Sequence, residues 1–240
     1  MVDASVAEVI SALSTRRYAF IDAGCGEGDS MGHLLRRFGR APGLGLDYHQ
    51  QSVDAATAKG FDARYCNLLA TDLVLPEACV EYAAAVDVLE HLPTERDAVA
   101  VLVKLAAAAR DFVVIRHPSF EDVDYLAQLG VRLNWTDWTS HPNRMKLDDF
   151  RRVFAALGWR DYAILPHMIY TDSSHLSVLP LAAPPDTLKY DASQHGPKPA
   201  VEFDRPVYGK FDIFVRLREI DPIRWQGIAC VEGWEAHWDF

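Results

Sequence analysis

Phe20-Ile-Asp-Ala-Gly-Cys-Gly-Glu-Gly28 is the stretch on which the fold turns. Its start continues Tyr18-Ala19 into a short buried strand, Tyr18–Asp22, and its end sets Gly24, Gly26 and Gly28 at alternate positions. From Ser30 to Phe38 the apolar residues Met31, Leu34, Leu35 and Phe38 recur at helical spacing, and Gly39 stops them. The local order is therefore strand, glycine turn, helix. Glycines at such a turn let the chain reverse sharply and let a ligand approach the amides at the helix start. The spacing is GxGxG, and position 29, where a dinucleotide-binding GxGxxG has its third glycine, holds Asp29. Glu27 and Asp29 would repel a pyrophosphate but suit a ligand carrying an ammonium and a sulfonium.

The same alternation continues outward. Ser5–Thr15 precedes the turn as one short helix with Val6, Val9, Ile10 and Leu13 on one stripe. Gly43–Asp47 reads as the next strand, Gln51–Lys59 as a helix ended by Gly60, Ala63–Cys66 as a third strand and Val80–Val86 as a fourth. Thr94–Ala109 is an apolar helix, and Asp111–Arg116 reads as a fully buried strand. Strands alternating with helices over short connections predict a doubly wound, mostly parallel sheet. The second half is less regular. Ser119–Arg144 is a long connection containing Trp135 and Trp138, followed by a helix Lys146–Leu157 closed by Gly158 and a strand beginning at Tyr162–Leu165. The proline-rich Thr171–Pro206 shows little periodicity, and so long a segment is expected to be a lid, an interface arm or disordered. Val207–Ile220 returns as a strand.

Composition narrows the class. The chain has 240 residues, 50% of them hydrophobic, enough for one sizeable core and a single domain with two insertions, 119–145 and 171–206. With 24 Lys+Arg against 34 Asp+Glu the net charge is -10, and no basic run exceeds a pair, so nucleic acid is not expected as a ligand. The stretch Ala98–Ala109 is too short to span a bilayer, and the N-terminus lacks the pattern of a signal peptide, so no membrane partner is expected. Cys25, Cys66, Cys79 and Cys230 form no CxxC pair. A cytoplasmic protein, alone or as a homodimer, is the expectation.

Two further motifs stand in register with the first. Asp47 ends the second strand nineteen residues beyond Gly28, where an acid can accept from both hydroxyls of a ribose. Asp87-Val-Leu-Glu-His-Leu-Pro93 follows the fourth strand. Together with Gly45-Leu-Asp47 and the glycine stretch, these residues resemble the class I S-adenosylmethionine-dependent methyltransferases over about the first half of the chain. The resemblance implies a Rossmann-like α/β sheet of seven strands, whose last strand is antiparallel and inserted beside the fifth. It implies S-adenosylmethionine as cofactor, with Asp22, Gly24, Cys25 and Gly26 at its methionine end and Asp47 at the ribose. Tyr48 would pack on the adenine, Asn67 and Leu68 would face its edge, and Val86 and Asp87 would line the sulfonium pocket. Many relatives carry an acid where this chain has Asn67; an amide can both donate and accept there.

The implied reaction is methyl transfer to oxygen or nitrogen of a small organic acceptor, which needs alignment, exclusion of water and a nearby base. His91, His117 and His141 fall near the C-terminal edge of the sheet, where ligands bind in this fold class. His141 and His117 are the base candidates, and His91 is read as supporting its loop. Asp87-x-x-Glu90-His91 also looks like the stretch that binds a divalent metal in ubiquinone-biosynthesis O-methyltransferases. The same letters recur in metal-free relatives, and two carboxylates are too few for a hard cation, so no metal is expected. The other reading is a protein of this fold that binds the cofactor without catalysis, as a scaffold or partner subunit.

Overall fold

A computed structural model describes residues 4–229. The first helix is α1 (Ala4–Ser14), and β1 (Phe20–Ala23) leads through the glycine turn into α2 (Asp29–Phe38). Then follow β2 (Gly43–Asp47), α3 (Gln50–Ala58), β3 (Asp62–Tyr65), β4 (Val80–Val86), α4 (Glu95–Ala108) and β5 (Ala109–Pro118). The later half contains α5 (Val123–Gln128), β6 (Val131–Leu133), α6 (Leu147–Leu157), β7 (Tyr162–Asp172), β8 (Val178–Pro180), α7 (Ala192–His195), β9 (Glu202–Arg216) and α8 (Pro222–Ala229).

Seven strands form one sheet in the order β3-β2-β1-β4-β5-β9-β7. The first five are parallel, and β9 runs antiparallel between β5 and β7. The reversal of strand order lies between β1 and β4, so the loops after these two strands open a crevice at the sheet's C-terminal edge. Two apolar layers cover the sheet. One carries Val9, Leu13, Leu102, Leu105 and Phe154 from the flanking helices, and the other stacks Phe20, Tyr82 and Phe112 under Met31 and Leu34 of α2. Strands buried on both faces explain the unbroken apolar run Tyr82–Val86.

The doubly wound architecture and the antiparallel insertion match the expectation from sequence; the irregular segments differ. Residues 119–144 hold α5, β6 and a 3₁₀ turn at Asn134–Asp137. The stretch 171–206 is not a structureless arm. It carries the end of β7, the strand β8 paired antiparallel with β6, the short α7 and the start of β9. Tertiary pairing makes up here for missing periodicity. Pro166 sits within β7 because that strand is the sheet edge, where a missing amide breaks no ladder on the outer side. Pro206 falls where the β7–β9 register shifts between Tyr170 and Asp172. Buried Arg132 ties the two segments together, donating to the carbonyls of Ala183 and Pro184 and pairing with Asp137 at 2.9 Å. Cys230, Trp234 and Trp238 lie outside the described residues. Among those described, no helix is long and apolar enough to cross a membrane.

Candidate active site

The glycine turn is held by three residues in the left-handed region, Gly24 (φ 74°), Gly26 (φ 51°) and Gly28 (φ 91°). Their surroundings differ, and this separates packing from binding. A Cβ on Gly24 would lie 2.3 Å from Val88 Cγ2, and one on Gly28 would lie 2.5 Å from the Phe61 ring. A Cβ on Gly26 would meet nothing within 4 Å. Gly24 and Gly28 are therefore needed to close the fold, whereas Gly26 faces open space.

That space is a cavity of about 320 Å³ between the turn and the loops after β4 and β5. Gly24, Cys25, Gly26 and Ser30 form one side, and Val86 and Asp87 lie at the end of β4. The other side consists of Glu90, His91, Trp135, Trp138 and His141, with Lys210 entering from β9. The turn side also carries Glu27 and Asp29, so one wall is acidic and backbone-lined, and the other is largely aromatic.

Asp22 lies fully buried beneath the turn. Burial pushes its carboxyl up to about 7, against the lowering effect of the Ser30 hydroxyl, which donates to Oδ2; the nearby Asp47 adds to the rise. Its Oδ1 has no hydrogen-bond partner. Asp47 is almost as buried and accepts from the amides of Gly26 and His49, both at 2.9 Å. One carboxylate thereby fixes both the glycine turn and the start of α3. Tyr48 beside it is 59% exposed, so its ring is available to a ligand. Asn67 is exposed and accepts from the Leu69 amide through Oδ1, which leaves its side-chain NH₂ to donate outward, while Leu68 is buried. Burial and the charges of Asp22 and Asp47 raise the Cys25 thiol, so it lines the cavity as a small neutral group and not as a nucleophile. At the end of β4, Asp87 has φ 51°, a left-handed backbone rare for a residue with a side chain. Burial alone would raise its carboxyl, but Lys210 at 2.7 Å, with Arg116 and His117 beyond, holds it below the ordinary range.

The histidines separate. His141 is buried but lines the cavity; its Nδ1 lies 3.1 Å from the Trp135 carbonyl oxygen. A carbonyl only accepts, so Nδ1 carries the proton and Nε2 keeps a lone pair. Burial lowers its basicity, opposed by the Glu90 carboxylate, and the ring is neutral at neutral pH. His91, read from sequence as a loop support, also lines the cavity and is fixed in the same tautomer by the Ser140 carbonyl at 2.8 Å. His117 does not reach the cavity. It is 1% exposed, packed against Phe120 and Phe150, with Nδ1 3.5 Å from Glu90 Oε2. The expectation of His117 as a base facing the substrate is therefore corrected: side chains alternate along β5, and position 117 points into the core.

Sequence reasoning missed Ser30 and Lys210. Ser30 had no signal beyond its place in the first turn of α2. Lys210 lies 123 residues from Asp87 and meets it because β9 inserts beside β5 with Pro118 opposite Lys210. Among the residues lining the cavity, none comes from 171–206. That segment braces the aromatic wall from behind, where the Thr187 carbonyl accepts from Trp138 Nε1 and Asp186 accepts from the Thr139 amide.

Residues 20–111 match the family model described as a methyltransferase domain. No curated protein sequence matches the chain. Among solved structures, a SAM-dependent methyltransferase from Archaeoglobus fulgidus is similar, with TM-score 0.57 and 16% identity, over 88% of this chain and 94% of that one. Magnesium protoporphyrin IX methyltransferase from Synechocystis PCC 6803, solved with bound SAH, gives TM-score 0.50 and 15% identity over 88% and 81%. A putative methyltransferase in complex with the Haloferax volcanii Trm112 activator gives 0.52 and 14% over 90% of each chain. The fold is that of the S-adenosylmethionine-dependent methyltransferases.

Proposed function

We propose that this chain binds S-adenosylmethionine at the glycine turn and transfers its methyl group to oxygen or nitrogen of a small organic acceptor. The observation that carries the reading is the open space at Gly26, whose amide donates to the buried Asp47, in a cavity also walled by Trp135, Trp138 and His141. The residues present fit the cofactor. Asp22, Gly24, Cys25 and Gly26 would take its methionine end, Asp47 the ribose, and Tyr48, Asn67 and Leu68 the adenine, with Val86 and Asp87 beside the sulfonium. The cofactor supplies an activated methyl group, and the protein's part is to align and shield.

The aromatic wall would exclude water and hold an apolar acceptor body. His141, with a lone pair on the cavity side, is the group that lowers the cost of removing the acceptor's proton. Segment 119–145 would shape the acceptor site, and segment 171–206 would keep it rigid or pair with a second copy of the chain. The test is calorimetry with S-adenosylmethionine, S-adenosylhomocysteine and NAD, followed by a methyl-transfer assay over a metabolite panel. Binding of the first two with turnover of at least one acceptor is expected. Tight binding of NAD alone would end the reading, and cofactor binding with no turnover on any acceptor would favour a scaffold role.

A further inference from the structure

We propose that the methyl acceptor is an organic amine, bound as its ammonium between Trp135, Trp138 and Glu90 and methylated at nitrogen. The inference rests on the methyltransferase reading and narrows its acceptor atom from oxygen or nitrogen to nitrogen. Charge, hydrogen-bonding capacity and aromatic surface on the acceptor side of the cavity all favour such a ligand.

Among the described residues, four acids line the cavity: Glu27, Asp29, Asp87 and Glu90. Three of them have a cationic partner. Lys59 lies 3.5 Å from Glu27 and 3.1 Å from Asp29, and Lys210 lies 2.7 Å from Asp87. Glu90 has no Lys or Arg beside it among the described residues. It is 2% exposed, its Oε2 accepts no hydrogen bond, and His117 Nδ1, 3.5 Å away, donates none to it. A buried carboxylate in that state is costly, and a cationic ligand lowers the cost by bringing both charge and donors. A carboxylate or phosphate on the acceptor would instead add a second negative charge.

The side chains around Glu90 accept hydrogen bonds and have few left to give. Trp135 Nε1 donates to the Ser119 carbonyl and Trp138 Nε1 to the Thr187 carbonyl. His91 and His141 donate from Nδ1 to the Ser140 and Trp135 carbonyls, which leaves Nε2 of each neutral ring as an acceptor. The Lys210 ammonium is engaged by Asp87. A neutral alcohol brings one donor to this surface and no charge, whereas a primary ammonium brings three donors and the charge. With their N–H groups committed, the indoles offer ring carbon, and the His141 ring packs 4.9 Å from Trp138 and 4.7 Å from His91 between centroids. Aromatic faces attract an ammonium through the ring quadrupole and shield it from water. In the reaction the ammonium passes one proton to His141 Nε2, and the freed nitrogen lone pair attacks the methyl carbon. The carbon–sulfur bond breaks and its electron pair stays on sulfur. The products are the methylammonium and S-adenosylhomocysteine, and His141 releases its proton to solvent.

The test is calorimetry on the chain saturated with S-adenosylhomocysteine, using three probes of similar shape: 2-phenylethylamine, 2-phenylethanol and phenylacetate. The amine should bind at least about 10-fold more tightly than the alcohol, and phenylacetate should give no heat. Glu90→Gln should cut the preference for the amine at least about fivefold. Its affinity for S-adenosylhomocysteine should be unchanged, which shows that the variant remains folded. With S-adenosylmethionine, mass spectrometry should detect the N-methylated amine. Amine binding no tighter than that of the alcohol, tightest binding of phenylacetate, an unchanged preference in Glu90→Gln, or no N-methylated product would each overturn the proposal. In all of these S-adenosylhomocysteine still binds and the methyltransferase reading stands. Absence of binding by S-adenosylhomocysteine itself would defeat that reading instead.

Discussion

Replacing Asp22 with asparagine should make the protein more stable and a worse binder, with a pH dependence that isolates this one carboxyl. Asp22 is fully buried, and its carboxyl is pushed from the ordinary 3.8 up to about 7. Between these values the unfolded chain has released the proton and the native chain retains it, so stability falls as pH rises through the window and is flat above about 7. At about 1.4 kcal/mol per tenfold in proton affinity, the loss is about 4 kcal/mol at pH 8 and about 2 kcal/mol at pH 5. Asparagine stays neutral and keeps an oxygen to accept from Ser30, but its amide hydrogens enter a place where Oδ1 has no partner, at a cost of about 1–2 kcal/mol. The net effect is near zero at pH 5 and a gain of about 2–3 kcal/mol at pH 8, or about 5–10 °C in melting temperature for a chain of this size. Thermal or urea unfolding of both proteins from pH 5 to 8 measures it. Difference curves that stay flat across that range would refute the reasoning. The same carboxyl should release a proton when the cofactor's ammonium arrives. Calorimetry in two buffers of different ionisation enthalpy should detect that release near pH 6 in the wild type and lose it in Asp22→Asn, with weaker binding.

Other substitutions separate the parts of the site. Gly26→Val should cost only about 1–2 kcal/mol of stability, the strain of a left-handed backbone, yet abolish S-adenosylhomocysteine binding measured by calorimetry. Gly24→Ala should instead lower the unfolding midpoint sharply, since its Cβ would sit 2.3 Å from Val88 Cγ2. Asp47→Ala should weaken cofactor affinity by about 1–3 kcal/mol, because it removes the carboxylate that fixes the Gly26 and His49 amides and that is proposed to hold the ribose. Arg132→Met should destabilise the chain by about 3–5 kcal/mol in chemical denaturation, as it leaves the buried Ala183 carbonyl without its donor and removes the bond to the Pro184 carbonyl.

The first half of the fold was legible because each strand–helix unit carries its own punctuation. Gly39 sits just after α2 in the left-handed conformation, and Thr94 caps α4 by accepting from the Asp97 amide. Boundaries moved by a residue or two where capping and pairing compete: β1 begins at Phe20 and not at Tyr18, whose hydroxyl donates to Asp62. The second half was hard to read because its order is non-local. Val178–Pro180 has no alternation of its own and becomes a strand only against Val131–Leu133, and Pro166 argues against a strand unless its edge position is known.

The site divides along the same line. Asp22, Gly24, Gly26 and Asp47 lie close in sequence to the turns that place them, so their meeting follows from the βαβ order alone. Residue type and spacing did not separate His141, which lines the cavity, from His117, which does not, because direction decides. His117 directly continues a buried strand, and in an alternating strand the next side chain along points to the opposite face. The Arg116 guanidinium accordingly pairs with Asp212 through two hydrogen bonds, while His117 turns toward Glu90 and Phe150. His141 sits in a segment without periodicity, so nothing local fixes its aim. Its position is set by the Trp135 carbonyl and by the Asn143 amide bonded to the Glu90 carbonyl, two contacts that exist only once the connection after β5 has folded back over the end of β4. The grouping of Glu90, His91 and His141 is therefore a property of the tertiary structure.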